Sequence, residues 1–372
     1  MISDVPVGIF LSRGLDSTAI TALLQTNSTN KTKTFSIGFE NKDFNEAPIS
    51  KEIAAYLGTE HSEYYCTYKD AEDIIPKLAY YYDEPFADSS AIPTFLVSKF
   101  AKKDVTVALS GDAGDEVFAG YKKDVRTISS FKILSKIPIS LRGKLCHLLS
   151  IMSSLGSDLH INFDRLTCLF EELSLNDSEL KSVLIKNFTY FTRPNLIQNL
   201  VPALNLNVKT AFDCNYQMSI VDQMLTTNYL TCLTDDMLTK VDRATMSCSL
   251  EARAPFLDHR LLEFVAQLPS HYKISGTKTK IILKDIVKKY VPEHLLNHPK
   301  IGFRVPIFDW LRKDLAYFIN EYCNPNKLQK LPFINETFAT AIINDFKSGS
   351  TKHNNLVWQL IMYSQWHDEW AK

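Results

Sequence analysis

No stretch of this sequence approaches the roughly 20 consecutive apolar residues that a membrane-spanning helix requires. Met1 is followed by an expected strand rather than by a basic segment and an apolar h-region, so a cytoplasmic location away from membranes is the expectation. A strong field of either sign is also missing. Against 41 basic side chains stand 42 acidic ones, a net charge of −1, which gives the molecule no global pull toward nucleic acid or an anionic surface. Paired cysteine motifs are absent as well. The seven cysteines (Cys66, Cys146, Cys168, Cys214, Cys232, Cys248, Cys323) are odd in number and contain no C-x-x-C, which argues for reduced thiols and against a zinc site or a disulfide framework. No internal repeat or low-complexity tract stands out.

What is present is material for a large core: 372 residues, 45% apolar and 11% aromatic, enough for two packed lobes. Short apolar runs at 7–11, 34–39, 61–67 and 105–110 read as strands. Helical patterns lie between them: one from Ser17, one from Asn45 as cap to Gly58 as stop, then 70–82 and 89–102. This alternation predicts an α/β fold, a parallel sheet with helices on both faces, joined to a mainly helical lobe. Residues 1–121 are expected to form the α/β core, 122–230 the helical lobe, and 231–372 a helical remainder that completes the active site. Ligands on such a sheet sit at the carboxyl ends of its strands.

Two of those ends carry polar letters. At the first, Leu11 ends the strand and Ser12-Arg13-Gly14-Leu15-Asp16-Ser17-Thr18 opens straight into a helix. The first N–H groups of a helix lack partners within it, so a strand feeding a helix through a tight turn is an anion site. Ser12, Ser17 and Thr18 add hydroxyls, Gly14 permits close backbone approach to a phosphate, and Asp16 offers a ligand for Mg²⁺ among phosphate oxygens. A plain strand-to-helix turn capped by Ser is the competing reading. The stretch lacks G-x-x-x-x-G-K-[ST], which disfavours a Walker-type kinase or ATPase.

At the second, Ser110-Gly111-Asp112-Ala113-Gly114-Asp115-Glu116 crowds three carboxylates into five residues, which is costly without solvent or cations. Alone it is a solvated acidic turn; beside a phosphate loop it is a candidate Mg²⁺–nucleotide site. A third stretch, Asp235-Asp236-Met237-Leu238-Thr239-Lys240-Val241-Asp242-Arg243, places Lys240 and Arg243 at i and i+3. If helical, the two cations share one face and can converge on a polyphosphate; ordinary surface ion pairing with Asp236 is the alternative. His259, His298 and His367 stand outside any cluster and read as structural.

These stretches carry a resemblance. The first is similar to the S-G-G-L-D-S-S pyrophosphate loop of asparagine synthetases, members of the ATP pyrophosphatase (PP-loop) superfamily, with Arg13 for the first Gly and Thr18 for the last Ser. Arg13 requires φ below zero or introduces strain, and its guanidinium either adds a phosphate contact or points to solvent. The second resembles S-G-[DE]-G-x-D-E, with Ala113 and Ala119 replacing glycines, preceded by the family-like lead Asp83 to Ser90. The third matches D-D-M-L-x-K-x-D-R followed by L-E-x-R-x-P-F-L-D, found here from Leu250 to Asp258. Pro299-Lys300-Ile301-Gly302-Phe303-Arg304-Val305-Pro306 continues the likeness, so the resemblance spans essentially the whole chain.

By that resemblance, Leu11, Ser12, Gly14, Asp16 and Ser17 would bind ATP and its pyrophosphate, and Ile37 would lie along adenine. Ser110 and Gly111 would contact AMP, and Asp16 with Asp115 would hold Mg²⁺. Asp112 would face the activated carboxyl and incoming amine, and Lys240 with Arg243 would neutralise the leaving pyrophosphate. The implied reaction is adenylation of the aspartate side-chain carboxylate followed by amidation with ammonia, giving asparagine and AMP. Related enzymes run the same chemistry on sugar acids or peptides, and a truncated, non-catalytic nucleotide-binding fragment is the non-enzymatic alternative. Glutamine-hydrolysing members carry a Cys-initiated glutaminase domain ahead of this half, so an isolated or truncated synthetase part is expected, using free ammonia or a glutaminase partner, and possible as a homodimer.

Overall fold

A computed structural model describes residues 3–138, 141, 199–202, 218–298 and 303–371. Five strands, β1 (Val7–Phe10), β2 (Lys33–Phe39), β3 (Glu60–Cys66), β4 (Val107–Leu109) and β5 (Glu251–Arg253), form one sheet in the order β3-β2-β1-β4-β5. Every pairing is parallel, with Gly8 opposite Lys33, Val7 opposite Val107, and Val107 opposite Glu251. The four expected strands form within a residue or two of their predicted bounds. β5 is the addition: it lies inside the stretch read as helical and is set beside β4 by the long-range register alone.

The helices that position the site are α1 (Leu15–Thr26), α2 (Ala47–Leu57), α3 (Tyr68–Tyr82), α4 (Ala91–Ala101), the short α5 (Gly114–Phe118), α6 (Lys122–Leu134), α7 (Ile220–Asn228), α8 (Thr239–Met246), α9 (His259–Gln267), α10 (Ile281–Val287) and α11 (Asn354–Trp370). They cover both faces of the sheet. On one face Phe35, Ile37 and Phe39 of β2 join Leu78 of α3, Phe95 of α4 and Trp358 and Ile361 of α11. On the other, Ile9 and Leu11 join Ile20 of α1, Ile53 of α2 and Leu283 and Val287 of α10. The central strands β1, β2 and β4 are mostly buried because helices cover both faces there, whereas the edge strands β3 and β5 carry charged, exposed residues such as Glu60 and Glu251.

Local chemistry explains the ends of these elements. Gly58 stops α2 with a left-handed φ of 72°. Glu46, not Asn45, takes the N-cap position of α2; Asn45 still serves the first turn, its Oδ1 accepting from the Ala47 N–H at 3.2 Å. Thr67 and Asp70 cap α3 reciprocally. Between α7 and α8 the backbone widens into π-helical turns over Tyr229–Leu238, the stretch that holds Asp235 and Asp236. Most of the expected helical lobe, including the polar insertion at 153–158, lies outside the described residues, as do Cys146, Cys168, Cys214 and Pro299 to Gly302.

Candidate active site

The sheet order reverses direction at β1: the chain proceeds outward through β2 and β3, then returns to add β4 and β5 on the other side. The ends of β1 and β4 therefore flank a topological switch point, where a crevice opens between loops that turn opposite ways. Both polar turns lie there.

The β1–α1 turn is tied by Ser17. Its Oγ accepts from the Ser12 N–H at 3.1 Å and faces the carbonyls of Ser12 and Gly14, each at 3.1 Å. Ser12 Oγ accepts from the Gly14 N–H at 3.1 Å, and Thr18 Oγ1 donates to the Gly14 carbonyl at 2.8 Å. Gly14, the N-cap of α1, makes no side-chain cap, so the helix presents its first-turn N–H groups without one.

The β4 turn packs directly on the first. A Cβ on Gly111 would lie 2.9 Å from the Ser17 nitrogen, and one on Gly114 would lie 2.5 Å from Asp16 Cγ, so only glycine allows the two turns to touch. Ala113 and Ala119, which replace glycines of the resembled pattern, keep the left-handed backbone glycine favours, with φ of 70° and 57°. Ser110 is anchored by its N–H to the Arg253 carbonyl at 2.9 Å. Its hydroxyl, on a residue 5% exposed at the end of β4, has no hydrogen-bond partner among the described residues.

Asp16 and Asp115 are brought together by a residue that carries no motif, Lys280. Its ammonium contacts Asp16 Oδ2 and lies 2.6 Å from Asp115 Oδ1. Lys280 caps α10 in a left-handed conformation, φ 51°, with its N–H donated to the Phe118 carbonyl at 3.2 Å. Burial works to lower its pKa, but the two carboxylates outweigh burial and hold it above the ordinary lysine value.

Lys240 and Arg243, expected on one face, part company. Lys240, 6% exposed, turns inward and donates to Asp88 Oδ2 at 2.8 Å, with Asp236 and Asp112 near enough to raise its pKa against the effect of burial. Burial, then Asp88, pushes the Asp236 carboxyl up to about 7. Arg243 is exposed, pairs with Asp83 at 3.0 Å and does not line the cleft, so its one-turn neighbour Lys240 takes the interior and Arg243 the surface. Arg13 has the φ its sequence position requires and lines the same cleft, without pointing to solvent. Its side chain is buried against Glu46 at 3.1 Å.

One cleft of about 2400 Å³ is lined by Leu11, Ser12, Gly14, Asp16, Ser17, Ile37, Ser110, Gly111, Asp112, Asp115 and Lys240, which are all the expected site residues except Arg243. That exceeds the roughly 300–1,000 Å³ of most ligand pockets and leaves room for a nucleotide and a second substrate. Residues that sequence reasoning missed also line it, chiefly Lys280, Glu46, Asp88, Asp236 and Phe303. Asp88, Asp236 and Phe303 lay within stretches already noticed, without a site role; Lys280 and Glu46 had no local signal. Asp16 and Asp115 are hard oxygen donors suited to Mg²⁺. Among the described residues no group of three or more His, Cys, Asp or Glu could hold a metal by itself, so the remaining ligands would be phosphate oxygens and water.

A doubly wound parallel sheet whose phosphate-type loop and acidic turn meet at the switch point defines the PP-loop class of α/β proteins. The chain belongs to the asparagine synthase family, whose model matches residues 1–368. It is 32% identical over 372 residues to asparagine synthetase [glutamine-hydrolyzing] 1 of Bacillus subtilis, covering 99% of this chain and 56% of that protein. A putative asparagine synthetase [glutamine-hydrolyzing] of Mycobacterium tuberculosis is 32% identical over 376 residues, 99% of this chain and 55% of its own length. A putative asparagine synthetase [glutamine-hydrolyzing] 2 of Methanocaldococcus jannaschii is 36% identical over 259 residues, 66% of this chain and 46% of that protein. The chain thus spans about half the length of the first two. No helix among the described residues is long and apolar enough to cross a membrane.

Proposed function

We propose that this chain catalyses ATP-dependent amide formation on the side-chain carboxylate of aspartate, releasing pyrophosphate, AMP and asparagine. The observation that carries the reading is the contact of the Ser12–Ser17 turn with the Ser110–Asp115 turn at the switch point, with the Ser110 hydroxyl buried and unpartnered beside them. ATP lies across both turns: Leu11 and Ile37 flank adenine, Ser110 and Gly111 hold the AMP portion, and Ser12, Gly14, Ser17 and the first turn of α1 receive the pyrophosphate.

In the first step a carboxylate oxygen of aspartate bonds to the α-phosphorus while the bond to the pyrophosphate oxygen breaks. Negative charge grows on the leaving group, and Lys280, already at the turn, is the cation placed to meet it. Mg²⁺, held when bound by Asp16, Asp115 and phosphate oxygens, supplies further neutralisation there. In the second step ammonia, taken from solution or from a glutaminase domain or subunit, forms the C–N bond as the bond to AMP breaks. Asp112 accepts the surplus proton. Lys240, committed to Asp88, fixes the acidic wall beside that carboxyl group. The cytoplasm, where these small substrates are available, is the proposed location.

The test is to incubate the protein with ATP, MgCl₂, ammonium and a panel of carboxylates, following pyrophosphate and AMP. Aspartate should give pyrophosphate, AMP and asparagine in equal amounts. Release with a sugar acid or peptide but not aspartate would reassign the substrate; ATP bound without any AMP formed would mark a nucleotide-binding fragment.

A further inference from the structure

We propose that Lys280 is a built-in stand-in for the divalent cation: its ammonium holds Asp16 and Asp115 together in the free protein, and the metal enters only with the triphosphate. This rests on the reading of Asp16 and Asp115 as the metal ligands. The ammonium contacts one carboxylate and sits 2.6 Å from the other, which is the place a bridging cation would take. Two buried carboxylates a few ångströms apart repel strongly, and a single buried cation between them removes most of that cost.

The surroundings are shaped for the lysine. At Gly120 a Cβ would overlap both Asp115 Oδ1 and Lys280 Cε, so a glycine there opens the path of the side chain. The backbone is pinned to Phe118, so the four-carbon stem is the part that must swing for the ammonium to leave the carboxylates. A divalent cation arriving alone would find two protein carboxylates, no third acidic, histidine or cysteine ligand among the described residues, and a buried ammonium to displace without an anion to receive it. A triphosphate supplies what is missing: oxygens to complete the coordination and negative charge to accept Lys280. Metal and nucleotide binding are therefore coupled, each strengthening the other by the same factor.

The probe is Mn²⁺, its free concentration read by electron paramagnetic resonance, with and without a non-hydrolysable ATP analogue. The native protein should bind Mn²⁺ weakly alone and about 100-fold more tightly with the analogue, within the usual range of such couplings. Lys280→Ala and Lys280→Gln should bind Mn²⁺ without nucleotide at least about tenfold more tightly than the native protein does. If either variant is unfolded as purified, Mn²⁺ should restore its circular dichroism spectrum, and failure to do so would overturn the proposal. Equal Mn²⁺ affinity of the native protein with and without the analogue would overturn it too, as would variants no tighter than native. Analogue binding without Mn²⁺ uptake in every form would instead remove Asp16 and Asp115 as metal ligands, and the stand-in with them.

Discussion

At the scale of single residues, two cations compete for the role of pyrophosphate clamp, and their environments differ. Arg243 pairs with Asp83 at the surface, where an exposed ion pair is worth about 0–1 kcal/mol and is screened by salt. Lys280 is buried against the two acidic groups of the proposed phosphate site, where a preorganised charge acts at low dielectric. Arg243→Ala should therefore leave pyrophosphate release within about threefold of native. Lys280→Met should lower it by roughly 10²–10³, the loss typical of removing one preorganised donor. Equal damage from both would return the clamp to Arg243. Why one was legible and the other not is a matter of distance along the chain. Lys240 and Arg243 announce themselves by spacing, but spacing ranks neighbours on a helix and does not say which one faces inward. Lys280 lies 264 residues from its partner Asp16, and nothing beside it in sequence hints at a carboxylate. Arg13 shows the same limit: its ion pair depends on Glu46, brought near by the register of β1 on β2.

At the scale of elements, periodicity and turn chemistry located β1 to β4 and α1 to α4, most of which bury an apolar face, while β5 and the π-helical turns rest on long-range pairing and left no local trace. The packing of α6 on α7 carries a pH-dependent element of stability. Asp124 of α6 is buried and accepts from Asn228 Nδ2 of α7 at 3.2 Å, and its Oδ2 has no partner among the described residues. Burial pushes its carboxyl from the ordinary 3.8 up to about 7, with Asp115 and Glu116 adding in the same direction and Lys123 and Asn228 opposing. The folded value lies above the unfolded one. Its contribution to stability is thus fully present below about pH 4 and is lost as pH rises through about 7, a change of order 4 kcal/mol. Asp236 is shifted the same way, so the comparison must be between native and variant, not across pH alone. Asp124→Asn should lose less stability than native in chemical denaturation between about pH 5 and pH 8. Parallel curves would mean that Asp124 is already ionised in the folded protein.

At the scale of the whole molecule, the sheet cannot be separated from the C-terminal segment that covers it. β5, from residues 251–253, completes the hydrogen bonding of β4. The β2 face is closed by Val357, Trp358, Leu360 and Ile361 of α11, each 2% exposed or less. Three bonds from distant parts of the chain tie α3 in place: Tyr82 Oη donates to the Lys240 carbonyl at 3.0 Å, Trp366 Nε1 to the Asp83 carbonyl at 3.0 Å, and Trp370 Nε1 to the Ala79 carbonyl at 2.9 Å. Fully burying each large side chain contributes about 1.5–3 kcal/mol, so losing the α11 face alone removes as much as a typical domain's whole stability margin. A chain ending at residue 353 should therefore fail to unfold cooperatively in urea and should bind a hydrophobic dye in buffer. Residues 1–121 alone, though they contain both turns of the proposed ATP site, should show no saturable ATP binding by calorimetry. Saturable binding by either piece would mean that the strand ends hold their geometry without the cover of α11 and the pairing of β5, and the site would then be local to the first four strands.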